Sequence, residues 1–269
     1  MSRKRPTVAD LRALKGKRQL TMLRFFTLEE AEAAEKAGID IVSVPPELLT
    51  HPRYRDVAPS LFSMTGKTHL EYASTAEYMK FCGEMMQAGA DAMYCSGSID
   101  TVAALAREYI PIVGHVGLVP SRATWTGGFR AVGKTAESAL SILREVQALE
   151  EAGAFAAEIE VVPVEVATDI SKRVNILLWS MGSGPGCDAQ YLFAEDILAT
   201  NRGHMPRHAK VYRNFGAEFD RLQSERIAAF KEFVADCNSG AYPEEKHIVR
   251  MQPMDLERFH KISAENEHG

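Results

Sequence analysis

The stretch AEAAEKAGIDIVSV, residues 31–44, carries two different periods. Its first half is alanine and charged residues, all good helix formers. Its second half is short, apolar and β-branched, as a parallel strand covered on both faces is. Between them stands Gly38, where a helix C-terminus favours a left-handed residue. The same unit returns as MMQAGADAMYC at 85–95, with Gly89, and as LEEAGAFAAEIEVV at 149–162, with Gly153.

Outward from these units, strand patterns occur at 21–26 (TMLRFF), 60–65 (SLFSMT), 110–115 (IPIVGH) and 175–181 (NILLWSM), with EDILAT at 195–200 as an eighth. Helical patterns at 28–37, 75–88, 99–108, 135–152, 164–173 and 187–194 separate most of them. Such alternation predicts an α/β fold, a (β/α)8 TIM barrel. No G-x-G-x-x-G opens the first βα turn, which disfavours a dinucleotide-binding open sheet. From about residue 215 to 269 the pattern changes to helix, interrupted by Gly240 and Pro243. This part reads as C-terminal helices and a tail, packed on the barrel or on a neighbour. No linker rich in Pro, Ser or Gly precedes it, so one domain over 1–269 is expected, with about 1–18 as an N-terminal extension.

The chain has 269 residues, 46% of them hydrophobic and 25% charged, with a formal net charge of −5. That balance argues against nucleic acid or a membrane surface as the main partner. No apolar run approaches the ~18 residues of a spanning helix, and nothing resembles a signal peptide. The basic cluster of Arg3, Lys4, Arg5, Lys15, Lys17 and Arg18 reads as a frayed, solvated terminus. Cys82, Cys95, Cys187 and Cys237 form no C-x-x-C and read as reduced thiols of a cytoplasmic protein.

Chemistry in such a barrel gathers where strands end and βα loops begin. Those positions hold Arg24, Pro46, Glu47, Gly66, Lys67, Tyr94, Cys95, Ser96, His115, Glu158, Glu160 and Ser183. In AAEIEVVP the alternation puts Glu158 and Glu160 on one face and Ile159 and Val161 on the other. Two carboxylates avoid the apolar helix-facing layer, so both are expected to point inward. Crowding and burial raise carboxylate pKa values, which suits a general base near neutral pH. The structural alternative is that one or both cap the barrel or pair with Arg24. His115 suits a donor to an oxyanion or carboxylate, and a structural histidine bonded to backbone is the other reading. Lys67 lies in TGKT, which lacks the earlier glycine of a phosphate-binding loop. The glycine-rich run GHVGLVPSRATWTGGFRAVG, 114–133, follows the fifth strand as an active-site loop would.

The chain resembles the ketopantoate hydroxymethyltransferase family. Residues 114–133 resemble its G-H-x-G-L-x-P and G-G-[FY]-x-x-x-G blocks. EVVPVEVA (160–167), GSGPGCDAQ (182–190), GHMPRHAKVY (203–212) and GAYPEEKH (240–247) are similar to later blocks in the same order. The resemblance implies a barrel of the phosphoenolpyruvate mutase/isocitrate lyase type. It implies one-carbon transfer from methylenetetrahydrofolate to an enolised 2-oxo acid, Mg2+, and a homo-oligomer. It places the catalytic base on Glu160; from their strand-end positions, Arg24, Glu47, Gly66, Tyr94, Ser96, His115, Glu158 and Ser183 are the candidate residues around a small carboxylic acid substrate.

The chain departs from the family at the metal. The family's two metal aspartates fall on Pro46 and Gly66, and its Lys-x-Glu falls on Tyr94-Cys95-Ser96. Mg2+ needs hard oxygen ligands, so its use is doubtful here. Arg24, His115 and Tyr94 are candidate replacements as oxyanion partners, and Glu47, Glu158 and Glu160 form a candidate relocated metal site. The departures also suit a metal-independent C–C lyase or hydrolase of the same superfamily, acting without folate on another carboxylic acid. A non-catalytic ligand-binding relative is the third class.

Overall fold

A computed structural model describes residues 3–266. The chain divides into two compact units, Met1–Asn214 and Phe215–Gly269. The first is a closed barrel of eight parallel strands in sequence order. They are β1 (Leu20–Arg24), β2 (Ile41–Val44), β3 (Phe62–Thr65), β4 (Ala92–Tyr94), β5 (Ile112–Gly117), β6 (Ala156–Glu160), β7 (Leu177–Met181) and β8 (Ala189–Phe193). The second unit contains the helices Phe215–Ser239 and Pro253–Asn266.

The helix-glycine-strand units form as read. The helix Leu28–Ala37 starts at Thr27, whose side chain accepts from the Glu30 N–H while Glu30 reaches back. It stops at Gly38, with φ of +80°. Gly89 and Gly153 follow their helices with φ of +101° and +95°, a region costly to any residue with a Cβ.

Strand alternation sorts the side chains into two layers. Leu20, Met22, Ile41, Phe62, Met64, Ala92, Val113, Ala156, Leu177, Trp179, Ala189 and Tyr191 belong to one buried cluster, with Leu11 among them. The intervening Val42, Met93, Ile112, Val116, Ala157, Ile159 and Leu178 join the helices in a second. The chemically active positions continue the first set toward the carboxyl ends of the strands.

Two expectations are corrected here. The eighth strand is Ala189–Phe193, not 195–200, and 187–194 is not helical. In AQYLF, the pairing to β1 and β7 closes the barrel, and Ala189 and Tyr191 point into the inner cluster. Residues Ala194–Ile197 are instead a short helix that buries Asp196. The basic N-terminal cluster is not a frayed, solvated terminus. Arg3 and Arg18 pair with Asp40, Arg5 with Asp91 and Lys15 with Asp188. Those aspartates sit just before β2, β4 and β8, so the segment is tied to the amino end of the barrel. Four of its six charges have specific partners, and Leu11 is buried.

Candidate active site

The carboxyl ends of the strands open into one cavity of about 1500 Å3. Arg24, Ser43, Glu47, Gly66, Tyr94, His115, Glu158, Glu160, Ser183 and Tyr191 line it. Residues Leu118 to Ala131 of the glycine-rich run contribute Leu118, Pro120, Ser121, Phe129, Arg130 and Ala131. That loop is held by Arg122, which donates to Glu145 at 2.8 Å and to the Ser96 carbonyl at 2.9 Å.

At the centre, β5 and β6 lie in register, with His115 opposite Glu158 and Gly117 opposite Glu160. His115 Nδ1 is 2.8 Å from the Tyr94 hydroxyl and 3.5 Å from Glu158 Oε2. Its Nε2 is 3.1 Å from Glu160 Oε2. That approach is off line for a hydrogen bond, and Nε2 is a buried nitrogen without a hydrogen-bond partner. Burial raises the Tyr94 pKa, and the negative charge of Glu158 raises it further, so the phenol keeps its proton. A phenol that donates to Nδ1 leaves the proton of a neutral imidazole on Nε2, facing Glu160.

The two glutamates are thereby distinguished. Burial pushes Glu158 up to about 7; His115 opposes this, Glu160 adds to it, and Arg24 opposes it. Glu160 stands one pleat nearer the carboxyl end, beside the imidazole edge that bears Nε2. Both carboxylates point inward, as the alternation of β6 suggested, and they meet His115, while Arg24 bonds elsewhere.

Arg24 donates from Nη1 to Ser43 Oγ at 2.9 Å. Its guanidinium lies 5.2 Å from the centre of the Phe26 ring and 5.8 Å from that of Phe193. Among the described residues it forms no ion pair with a carboxylate within 4.0 Å. Ser183 is buried and its hydroxyl is fully used: it donates to the Ile159 carbonyl at 2.9 Å and accepts from the Val162 N–H at 3.0 Å. It therefore holds the backbone on either side of Glu160. Ser96 is buried, outside the cavity lining, and its side chain hydrogen-bonds Tyr94. Lys67 pairs with Glu71.

The residues at the expected metal positions do not fit a divalent cation. Pro46 has no side-chain donor. Gly66 has none either and has no room for one. A Cβ there would stand 2.9 Å from Tyr94 Cβ and 3.0 Å from the Tyr94 carbonyl oxygen. The relocated site is not assembled: Glu47 is exposed on the short helix Pro46–Leu49, while Glu158 and Glu160 face two nitrogens of one imidazole. Among the described residues no group of three His, Cys, Asp or Glu side chains is placed to hold a metal ion.

Several lining residues were missed, Ser43, Tyr191 and His208 among them. His208, half-buried, lies on the stretch after β8, and its Nδ1 would be 2.7 Å from a Cβ at Gly182. Burial lowers its pKa, and the charges of Glu160 and Asp196 oppose this. Its block, GHMPRHAKVY, was read only as a likeness, because no periodicity marks a loop histidine as cavity-lining.

A closed parallel barrel with an ionisable cluster at the carboxyl ends of its strands is the architecture of a barrel enzyme. Phosphonopyruvate hydrolase, in a structure with oxalate and Mg2+, matches it with a TM-score of 0.51 at 14% identity, covering 96% of this chain and 98% of that one. 2,3-Dimethylmalate lyase, a member of the PEP mutase/isocitrate lyase superfamily, matches with a TM-score of 0.50 at 12% identity, covering 97% and 99%. The ketopantoate hydroxymethyltransferase sequence profile matches residues 64–245. The 3-methyl-2-oxobutanoate hydroxymethyltransferase of Hyperthermus butylicus is 32% identical over 98% of this chain and 97% of its own length. The chain belongs to the ketopantoate hydroxymethyltransferase family.

No helix among the described residues is long and apolar enough to cross a membrane.

Proposed function

We propose that this chain enolises a 2-oxo acid, with Glu160 as general base, as the first half of a hydroxymethyl transfer. The observation that carries the reading is the buried Tyr94–His115–Glu158/Glu160 cluster at the floor of the cavity. The substrate's carboxylate faces Arg24. The Glu160 carboxylate takes the proton from the carbon next to the carbonyl. The C–H electron pair becomes the new C=C bond, and the carbonyl pair moves onto oxygen. His115 is a positioning residue: its Nε2 is buried against Glu160 and acts on the substrate through that carboxylate. Off-line hydrogen bonds of this kind tighten when a substrate arrives. Glu158, titrating at about 7, holds a proton part of the time and spares Glu160 a permanently charged neighbour.

The enolate carbon then attacks a one-carbon unit at the formaldehyde level, freed from its donor's nitrogens by water; the C=O electron pair moves onto oxygen and takes up a proton to become the new hydroxyl. A cavity of about 1500 Å3 exceeds the ~300–1,000 Å3 of ordinary small-molecule sites. It leaves room beside a short 2-oxo acid for a donor the size of methylenetetrahydrofolate.

The test is proton exchange followed by NMR in D2O, on 3-methyl-2-oxobutanoate and a panel of other 2-oxo acids. Exchange is expected with the natural chain and to fall by ~10²- to 10⁴-fold in Glu160→Gln. No exchange on any oxo acid would sink the reading and favour C–C cleavage or hydrolysis of a different carboxylic acid.

A further inference from the structure

The residues that should hold a divalent cation do not fit one, and a fixed cation stands at the same end of the barrel. We propose that this site binds its 2-oxo acid without a divalent metal ion, and that the Arg24 guanidinium supplies the positive charge for the substrate's carboxylate and oxo oxygens. The inference rests on the reading of the site as one for 2-oxo acids.

Three observations carry it. The first is steric. Position 66 offers no ligand, and any side chain there would begin 2.9–3.0 Å from the Cβ and carbonyl oxygen of Tyr94, so none fits without a shift of the backbone. The Tyr94 side chain runs on from there and ends on His115. The second is chemical. Pro46 offers no donor, and Ser96 is turned to Tyr94. Glu158 and Glu160 are engaged with separate nitrogens of His115, while Mg2+ demands several oxygen ligands converging on one octahedron.

The third is the state of Arg24. A guanidinium has five N–H donors and stays charged at every working pH. Here one donor goes to Ser43 at 2.9 Å, the guanidinium also hydrogen-bonds the Tyr191 hydroxyl, and no carboxylate lies within ion-pair distance among the described residues. The Phe26 and Phe193 rings flank it, which restricts the side chain before any ligand binds. A fork so held matches the planar edge of a 2-oxo acid, and charge-assisted bonds of that kind are the strong ones. Its charge also reaches Glu158, whose carboxylate it favours. It thus lies within electrostatic range of the proton-transfer cluster, where a developing oxyanion needs it.

The decisive experiment is calorimetric titration of the full chain, freed of metal with EDTA, using oxalate and 3-methyl-2-oxobutanoate as probes. Each titration is run with and without millimolar Mg2+, and Mn2+ binding is read directly by EPR. We expect both probes to bind with Kd values that Mg2+ changes by less than about twofold, and the free Mn2+ signal to stay undiminished. Arg24→Met should weaken both probes by about 10- to 100-fold, as loss of hydrogen bonds to a charged group does. Arg24→Lys should retain part of the affinity, because it keeps the charge and loses the fork. Circular dichroism establishes that each variant is folded, and the metal titrations on the natural chain need no variant. A tenfold or greater gain of affinity with Mg2+ would overturn the proposal. So would stoichiometric Mn2+ uptake, probe binding unchanged in Arg24→Met, or no binding of either probe. Because binding is what is read, 3-methyl-2-oxobutanoate that binds without exchanging the proton next to its carbonyl would count against the enolising function alone.

Discussion

The Tyr94 hydroxyl and His115 Nδ1 stand 2.8 Å apart across neighbouring strands, with the two rings edge to face at 69°. The contact fixes the plane of the imidazole, and a phenol that donates there puts the proton of a neutral imidazole on Nε2. Tyr94→Phe removes one hydroxyl and leaves the ring packing. The imidazole can then take either tautomer, and the one protonated on Nδ1 presents a lone pair to Glu160. Exchange of 2-oxo acid protons is expected to fall by about tenfold, while stability drops by only about 1 kcal/mol, the net worth of one buried hydrogen bond. Parallel NMR exchange and urea melts check this. Unchanged exchange would show that the hydroxyl has no part in orienting His115.

Glu158 makes the stability of the barrel depend on pH in a particular direction. An ordinary glutamate titrates near 4.5 and this one at about 7. Between those values the folded chain holds a proton that the unfolded chain has released. Its contribution is therefore fully present below about pH 4.5 and is lost as pH rises through 7, a change of about 3 kcal/mol. Glu158→Gln should flatten urea-unfolding free energies between pH 5 and 8, and exceed the natural chain at the upper end. An identical slope in both proteins would remove Glu158 as its source.

Gly66→Ala adds a single methyl group against Tyr94 backbone and Cβ at 2.9–3.0 Å. Rigid backbone cannot yield as a flexible side chain does, so a loss of about 1–3 kcal/mol is expected. Displacement of Tyr94 from His115 should lower exchange as well. Gly83, inside the helix Thr75–Gln87 and with nothing within 4 Å of an added Cβ, is the control. Gly83→Ala should stabilise by about 0.5–1 kcal/mol. Thermal melts of the pair decide it: equal effects would mean that β3 and β4 are not closely apposed at this point.

Asp40 holds the amino end. It accepts two bonds from Arg18, at 2.8 and 2.9 Å, and one from the Thr21 N–H at 2.9 Å. Burial works against its charge, but Arg18 and Thr21 outweigh this and hold the pKa below the ordinary value. Asp40→Asn keeps the shape and loses the charge. Arg18 is 52% exposed, so the expected cost is about 2 kcal/mol, less than for a fully buried pair. Exchange activity should be unaffected, and a loss of activity without a loss of stability would contradict the assignment of Asp40 to the scaffold.

Most of the barrel was legible because burial writes a period into the chain. AAEIE gave the inward direction of both glutamates from alternation alone, and AEAAEKAG announced a helix end. β8 was misplaced because AQYLF is short and follows GSGPGCD, whose glycines and proline carry no strand period. The basic N-terminal residues looked solvated because their partners, Asp40, Asp91 and Asp188, are distant in sequence and join only when the barrel closes. The same holds at the site. The strand-end residues could be named one by one, but the Tyr94–His115 contact and the exclusion of a side chain at Gly66 are facts of register. His208 was missed for the related reason that loops place residues without periodicity.

The ties of Asp40, Asp91 and Asp188 to the basic N-terminal residues have a consequence for how such a chain can change over time. They hold the barrel shut from the end where no chemistry takes place. Substitutions at Pro46, Gly66 and Ser96 therefore fall on a rim whose closure is secured elsewhere. A lineage can exchange one set of reactive groups for another there and remain folded throughout, which makes the rim the part of the molecule open to new reactions.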